Sequence, residues 1–394
     1  MPAHVVVYVD YNFDDPKYPN RPGQGQGFFT HGFGSMYARK FKQTYPQWEV
    51  QCWKADRYTQ KEQQAEYGQV QYRIFPAAKF PRAGFFSFAL LRAVKNYTRE
   101  NPGHIINISS FDHILFWSIA LFVPGAKIVV QHHGECPARH RMQHSKGLRK
   151  ILWGLWSLVE QKALKKCSLL YALDPGLLDW IPLPPAKIKV QGTGVDISLF
   201  PLKDKNESRK QLGFAPEDLY LMYMGRLTNS KRPDMLIDVF LRLRNKFPRL
   251  RLVLGGCQPS DPFYKAAVDA GALTHGVIPQ EEMHLWLNAA DAYSLPLLDT
   301  AHVFGGIGML PVQALLCGTP VVGSTMKCLP AEELPSAGFV SQTADQLEEA
   351  LTKIFSKQAT FPNTRQVAMN YYDWNSISKK TGEDYLKLMQ NRCH

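Results

Sequence analysis

Residues 219–256 read LYLMYMGRLTNSKRPDMLIDVFLRLRNKFPRLRLVLGG. The opening run LYLMYM is apolar without interruption, as a strand buried on both faces must be. Gly225 ends it, and a polar turn leads to Pro233, a residue suited to the first turn of a helix. RPDMLIDVFLRLRNKF carries the helical pattern, and LRLVLGG returns as a second apolar strand. Strand, helix and strand of this size form a parallel pair with the helix packed on the sheet.

The same alternation runs outward in both directions. Upstream, HVVVYV, WEVQCW, QVQYRIF, HIINIS, AKIVVQ, SLLYAL and KIKVQG read as strands. Between them, GSMYARKFKQTY, FSFALLRAVKNYTREN, FDHILFWSIALF and KGLRKILWGLWSLVEQKALKK read as helices. Downstream, HGVI and DAYSLPL read as strands, and PFYKAAVDAG and QEEMHLWLNAA as helices. DISLFPLKDKNESRKQ reads as a polar linker. A chain of 394 residues has room for two cores. The fold class is therefore α/β, with two doubly wound Rossmann-like domains: residues 1–195, and residues 196–374. In open parallel sheets ligands bind beyond the carboxyl ends of the strands, so the loops that follow strands are expected to line a cleft between the domains.

Charge is unevenly spread. Residues 1–195 hold 25 Lys+Arg against 13 Asp+Glu and carry the whole net charge of +12, while the rest is balanced. A charge confined to one half points to a partner on that half. The seven cysteines show no paired metal spacing or disulfide framework, which fits a reducing compartment. The amino terminus lacks the pattern of a signal peptide. No apolar run approaches the roughly 20 residues of a membrane span. The expected location is the cytoplasm.

Four loops carry candidate chemistry. Arg226 and Lys231 flank a turn that opens a helix after Gly225, where two cations and a helix dipole would hold an anion; taken alone, they read as well as solvated surface charges. In HVFGGIGMLPVQALLCGTPVV, residues 302–322, Pro311 and Gly318 bracket a helix from about Leu310 to Cys317. Its unpaired N–H groups near Gly308, Met309 and Leu310 face the glycine turn that begins at Gly305. RPGQGQGFFTHGFG, with Gly25 and Gly27, is a glycine loop or a plain surface loop. VVQHHGECP places His132, His133 and Glu135 directly after a strand. One histidine is expected to be structural and His133 the functional one.

In order, KIKVQGTGVDISLF, YMGRL…K, LRLVLGG, HGVIPQEEMHLWLNAADAYSLP, GIGMLPVQALLCGTPVV and YYDWNSISKKTGEDYLKL resemble successive blocks of the retaining GT-B glycosyltransferases of family 4. The resemblance covers nearly the whole chain and is strongest from Lys187 onward. It implies that residues 375–394 form a helix crossing back onto the first domain. It implies a nucleotide-sugar donor on the second domain, with Arg226 and Lys231 on its diphosphate and His133 at the transferred sugar. Gly25 to Gly27 would lie against the diphosphate and sugar, and Gly308 to Leu310 would offer N–H groups to the donor. It also implies transfer to a hydroxyl acceptor with retention, the departing phosphate taking the acceptor's proton.

The segment departs from the family in one respect. The family carries two glutamates eight positions apart, and an ungapped match puts Gly305 and Gln313 there; a gapped match brings His302 toward the first. No D-x-D stands in a cleft loop, so no metal and no other cofactor is expected. The basic first half, with Leu148, Leu152, Trp156 and Leu158 among the cations of residues 146–166, fits an anionic membrane surface and a lipid-linked or glycan acceptor. A core-facing stripe with a solvated basic face is the alternative for that helix. No nucleic-acid-binding motif is present, so nucleic acid is not expected as a partner. The competing function is a catalytically silent protein that binds a nucleotide sugar or an anionic surface.

Overall fold

The computed structural model describes residues 4–11, 25–80, 84–297 and 304–390, and all structural statements concern these. They separate into two units, one of residues 1–191 with 377–394 and one of residues 192–376.

In the first unit the strands are β1 (Val5–Tyr11), β2 (Glu49–Asp56), β3 (Gln63–Tyr67), β4 (Val70–Pro76), β5 (Ala78–Phe80), β6 (Gly84–Phe86), β7 (Ile105–Ser109), β8 (Lys127–Gln131), β9 (Leu169–Ala172) and β10 (Ile188–Val190). Eight of them form one sheet in the order β10-β9-β8-β7-β1-β2-β4-β3. All neighbours are parallel except β3 and β4. β3 and β4 form a hairpin through Gly68 and Gln69, both at positive φ, the two-residue turn that matches strand twist. This hairpin and the antiparallel pair β5–β6 escape the sequence reading, because QQAEY is polar and AKF and GFF are too short to show a period.

In the second unit the strands are β11 (Leu219–Met224), β12 (Leu250–Gly255), β13 (Leu273–Thr274), β14 (Ala292–Leu295), β15 (Val321–Gly323) and β16 (Gly338–Val340). They form one parallel sheet in the order β13-β12-β11-β14-β15-β16, the doubly wound Rossmann order. The edge strand is Leu273–Thr274; HGVI, read as a strand, lies just beyond it. In each sheet the order reverses once, between β1 and β7 and between β11 and β14. Those two switch points are where this topology opens a crevice.

Two expectations about organisation need correction. DISLFPLKDKNESRKQ is not a linker but part of the second unit. Its helix Lys205–Leu212 buries Arg209, whose guanidinium reaches Ala289 O, Pro216 O and the Asp291 carboxylate at 2.6–3.0 Å. A run of charged residues reads as solvated, and only the fold shows one of them buried, with a bond from each guanidinium nitrogen. The unit boundary also moves from 195/196 to 191/192. Val195 N–H donates to Tyr372 O at 2.7 Å, and a Cβ on Gly192 or Gly194 would strike the Tyr372 or Trp374 ring. Gly192–Val195 therefore belongs with Tyr372–Trp374.

The helix Trp374–Gln390 spans the other boundary, and from Ile377 onward it belongs to the first unit. There Tyr385 is fully buried beside Phe41 and Trp48 and accepts from Asn107 Nδ2 at 2.7 Å. Asp384 accepts from Tyr171 OH at 2.9 Å and Lys189 Nζ at 2.5 Å. Lys127 Nζ reaches Leu388 O at 2.5 Å, a cation on the last carbonyls of the helix.

Candidate functional site

The second unit gathers its candidates at the carboxyl edge of the sheet. β11 is followed by Gly225, whose φ of 138° favours glycine. Its N–H donates to Gly255 O at 2.7 Å, which ties the turn to the end of β12. Arg226 follows and is 51% exposed at its side chain. Its Nε donates to Asp261, a fully buried carboxylate that also accepts from Leu227 N–H at 3.1 Å and Gln258 N–H at 3.0 Å. Burial pushes Asp261 up, but those N–H groups and Arg226 outweigh it and hold the carboxyl below its usual range. Asp261 thus fixes the guanidinium through Nε, while the side chain stays half-exposed.

Lys231 closes the one-turn helix Asn229–Lys231, before Pro233 opens the helix to Lys246. It is half-buried, and desolvation pulls its ammonium below the ordinary lysine value. Among the described residues its Nζ makes no hydrogen bond or ion pair. A buried cation without a counter-ion is costly unless a ligand supplies the charge.

The opposite side of the switch point follows β14. His302, at the start of the glycine segment, lies outside the described residues. Gly306 and Gly308 take φ of 64° and 84°, and the helix runs Met309–Leu316, one residue earlier than expected. It ends as the sequence indicates, with Gly318 N–H to Leu315 O at 3.1 Å and Thr319 N–H to Ala314 O at 3.0 Å, a Schellman cap with Gly318 at φ 80°. The N–H groups from Gly305 through Leu310 donate to no described residue. Gln313, 8% exposed, sits on this helix with its amide making no described hydrogen bond. Arg226, Lys231, Gly305, Gly308, Met309, Leu310 and Gln313 therefore all stand on loops and a helix that flank the β11/β14 switch point.

The first unit has its own cluster at the carboxyl ends of β1, β7 and β8. Asp10, Tyr11, Phe33, Ser109, Ser110, Asp112, His113, His133, Gly134 and Glu135 line a cavity of about 300 Å³. Ser110 turns out of β7 at φ 69°, a strained conformation for serine. His132 is fully buried; its Nδ1 accepts from Leu173 N–H at 3.2 Å, so its Nε2 carries the proton given to Glu135 O at 3.0 Å. His133 stacks on Phe33 at 4.2 Å, and both its ring nitrogens are buried without a partner. Burial lowers its pKa to about 4, so the imidazole is neutral at pH 7. Glu135 holds the loop by accepting from His133 N–H at 2.8 Å and Phe111 N–H at 3.0 Å.

Three carboxylates in this cavity were not foreseen as a set. Asp10 accepts from Tyr11 N–H at 2.8 Å and Gly34 N–H at 2.7 Å, and burial raises its pKa. A Cβ on Gly34 would lie 2.8 Å from the Asp10 side chain, which accounts for that glycine. Asp112, raised by burial, pairs with Arg141 at 3.0 Å and faces His113 Nε2 at 3.2 Å. His113 Nε2 in turn lies 2.8 Å from Tyr11 OH.

Gly25 and Gly27 are not in a loop. They open the short helix Gly25–Thr30, while residues 12–24 lie outside the described set. The fully buried Lys54 Nζ sits at the end of this helix and donates to His31 O at 2.6 Å and Phe29 O at 3.3 Å. A Cβ on Gly27 would meet nothing within 4 Å, so packing does not require glycine there.

Asp261 and Lys54 also escape the sequence reading. The signal for Asp261 was its place in the loop after LRLVLGG, the strand beside β11; nothing local marks Lys54.

Residues 204–372, all in the second unit, match the family described as Glycosyl transferases group 1. The D-inositol 3-phosphate glycosyltransferase of Actinosynnema mirum is 33% identical over 160 residues, covering 37% of this chain and 37% of that protein. The chain thus spans well under half the length of that curated relative. Among solved structures, sucrose-phosphate synthase from Thermosynechococcus elongatus superposes with a TM-score of 0.68 at 16% identity over 99% of this chain and all of that one. Anabaena HepE in complex with UDP gives 0.66 at 17% identity over 97% and 99%; it has also been solved with UDP-glucose. These likenesses show the fold: GT-B, with two Rossmann-like units.

Proposed function

We propose that this protein is a retaining glycosyltransferase of family 4 that moves a hexosyl group from a nucleotide sugar to a hydroxyl acceptor. The observation that carries the reading is Lys231, a half-buried cation with no described counter-ion, at the same switch point as Arg226 and the open N–H groups of Gly305 to Leu310. Together they supply positive charge where a departing diphosphate would gain negative charge, and stabilising charge as it develops is often the largest catalytic effect. No metal is needed in this account. The bond from the sugar's anomeric carbon to the diphosphate breaks, the acceptor oxygen bonds to that carbon on the same face, and the acceptor proton passes to a departing phosphate oxygen. Neutral His133, its ring nitrogens unspent, is proposed as the contact to a sugar hydroxyl. Gly25 and Gly27, at the amino end of their short helix, are proposed to lie along the donor. Gln313 would hold the ribose.

HepE binds UDP and UDP-glucose, so uridine diphosphate sugars are the first donors to test. The acceptor is proposed to be a glycan or lipid-linked hydroxyl compound, and the protein a cytoplasmic one that works against a membrane. No described helix is long and apolar enough to cross a membrane.

A thermal-shift screen of nucleoside diphosphates and their sugars tests the donor site. A ligand at a hundredfold excess over its Kd stabilises by about 2.7 kcal/mol. The reading fails if Arg226→Ala and Lys231→Ala respond like the parent. A second reading, a silent nucleotide-sugar binder, draws on Gly305 and Gln313 standing where the family has carboxylates. Release of free sugar from a bound donor, in the absence of acceptor, would argue against it.

A further inference from the structure

The helix Gly147–Leu164 lies on the first unit, its inner side buried through Ser157, Glu160, Ala163 and Leu164. Trp156, expected in an apolar stripe with Leu148 and Leu152, is half-buried instead and packs at a tilt against Trp117, ring centroids 4.9 Å apart. The outer stripe is aliphatic. Leu148 is 71% exposed, Ile151 63%, Leu155 59% and Leu158 61%, with Leu152 at their edge. Their spacing of three and four puts them on one face, about 15 Å long. Isolated exposed leucines need no explanation, but a continuous stripe marks an interaction surface.

Charge identifies the occupant. Lys146, Arg149, Lys150, Lys162, Lys165 and Lys166 are all exposed around the stripe. The helix's one acidic residue, Glu160, is buried and accepts from Ala138 N–H at 2.9 Å. A second copy of the chain would bring six cations against six cations. A bilayer with anionic headgroups offers apolar depth to the leucines and negative charge to their rim. The helix Ile114–Phe122 packs beside Gly147–Leu164, and Phe88–Glu100 packs beside Ile114–Phe122. There exposed Phe88 and Phe122 line a groove with Arg92 and Lys95.

We infer that Leu148, Ile151, Leu155 and Leu158, rimmed by Arg149, Lys150 and Lys162, form a membrane-docking face for anionic lipid. This deepens the proposed membrane-side acceptor and does not depend on the donor site, which is in the other unit.

The test is co-sedimentation of the full chain with vesicles of phosphatidylcholine alone, or with about a third phosphatidylglycerol. The chain should pellet with the anionic vesicles, release at high salt, and stay in solution with the neutral ones. Ile151→Asp with Leu155→Asp should weaken vesicle binding about tenfold or more while leaving thermal unfolding unchanged. Arg149→Glu with Lys150→Glu should remove the preference for anionic lipid. Should the aspartate pair unfold the chain, Leu148→Gln with Leu158→Gln serves in its place. Three outcomes overturn the proposal: no pelleting with anionic vesicles, equal pelleting of parent and stripe variants, or light scattering that shows the stripe variants splitting a dimer. The UDP thermal shift, read on the same variants, reports the donor reading separately.

Discussion

The two units oppose their own charge at their sites. The first holds 29 Lys+Arg against 15 Asp+Glu, yet its cavity is lined by Asp10, Asp112 and Glu135. The second holds 17 against 19, yet its switch point presents Arg226 and Lys231, the latter without a partner among the described residues. Net charge is set by the many exposed side chains, whereas a site is set by the few that loops hold at the sheet edge. The contrast extends to buried titratable groups. In the first unit burial drives Asp10, Asp112, Glu160 and His133 toward their neutral forms, while His132, His133 and backbone N–H groups hold Glu135 below its ordinary value; in the second it leaves Lys231 without a counter-ion among the described residues.

The largest effect that could break this contrast is on the second unit. Arg226→Ala and Lys231→Ala should each lower turnover by about 10²–10³-fold and abolish the UDP thermal shift. If variants of the first-unit cavity abolish that shift equally, the division of labour is wrong.

Next come the buried groups of the first unit, with opposite signs. His133 titrates at about 4 folded against 6.5 ordinarily. The unfolded chain therefore takes up the proton first on acidification, and stability falls as pH drops from 6.5 toward 4. Over that window the loss approaches about 3 kcal/mol, and His133→Phe should remove it from a melting-versus-pH series. Glu160 titrates at about 8 against 4.5 because burial raises it, with Oε2 unpartnered. Here the unfolded chain gives up its proton first, so stability falls as pH rises from 4.5 to 8. Glu160→Gln should flatten that limb alone.

A smaller effect is expected at Asp261. Asp261→Asn keeps the shape and removes the charge that fixes Arg226, so donor affinity should fall by about tenfold in calorimetry. The smallest should follow Gln313→Glu, which restores a charged acceptor beside the open helix start. It should tighten UDP by a few-fold if Gln313 meets the ribose, at roughly twice the strength of a neutral bond. No change would move the ribose elsewhere.

Much of the frame was legible because it is local. Apolar runs of strand length, Pro233 at a helix start and Gly318 past a helix end each act within a few residues. Readings failed where the local signal pointed the wrong way. The charged stretch around Lys205–Leu212 is a docked helix, because Arg209 finds two acceptors, Ala289 O and the Asp291 carboxylate, on distant chain. Gly25 and Gly27 form a helical turn, because Lys54 gathers carbonyls from 23 or more positions away. HGVI lost its strand to the two residues before it, where the edge pairing with β12 ends.

Sequence alone determined the α/β class, the two series of strands, the basic first half and the loops worth watching, since periodicity and composition are properties of neighbours along the chain. Only the tertiary structure decided which loops meet and which way side chains face. Parallel pairing sets the loop after β12 beside the loop after β11, and so brings Asp261 to Arg226 across 35 positions. Helix packing, likewise, sets Trp156 against Trp117 and leaves Ile151 and Leu155 outside. Both are settled by what can be buried together, a quantity that a linear pattern does not contain.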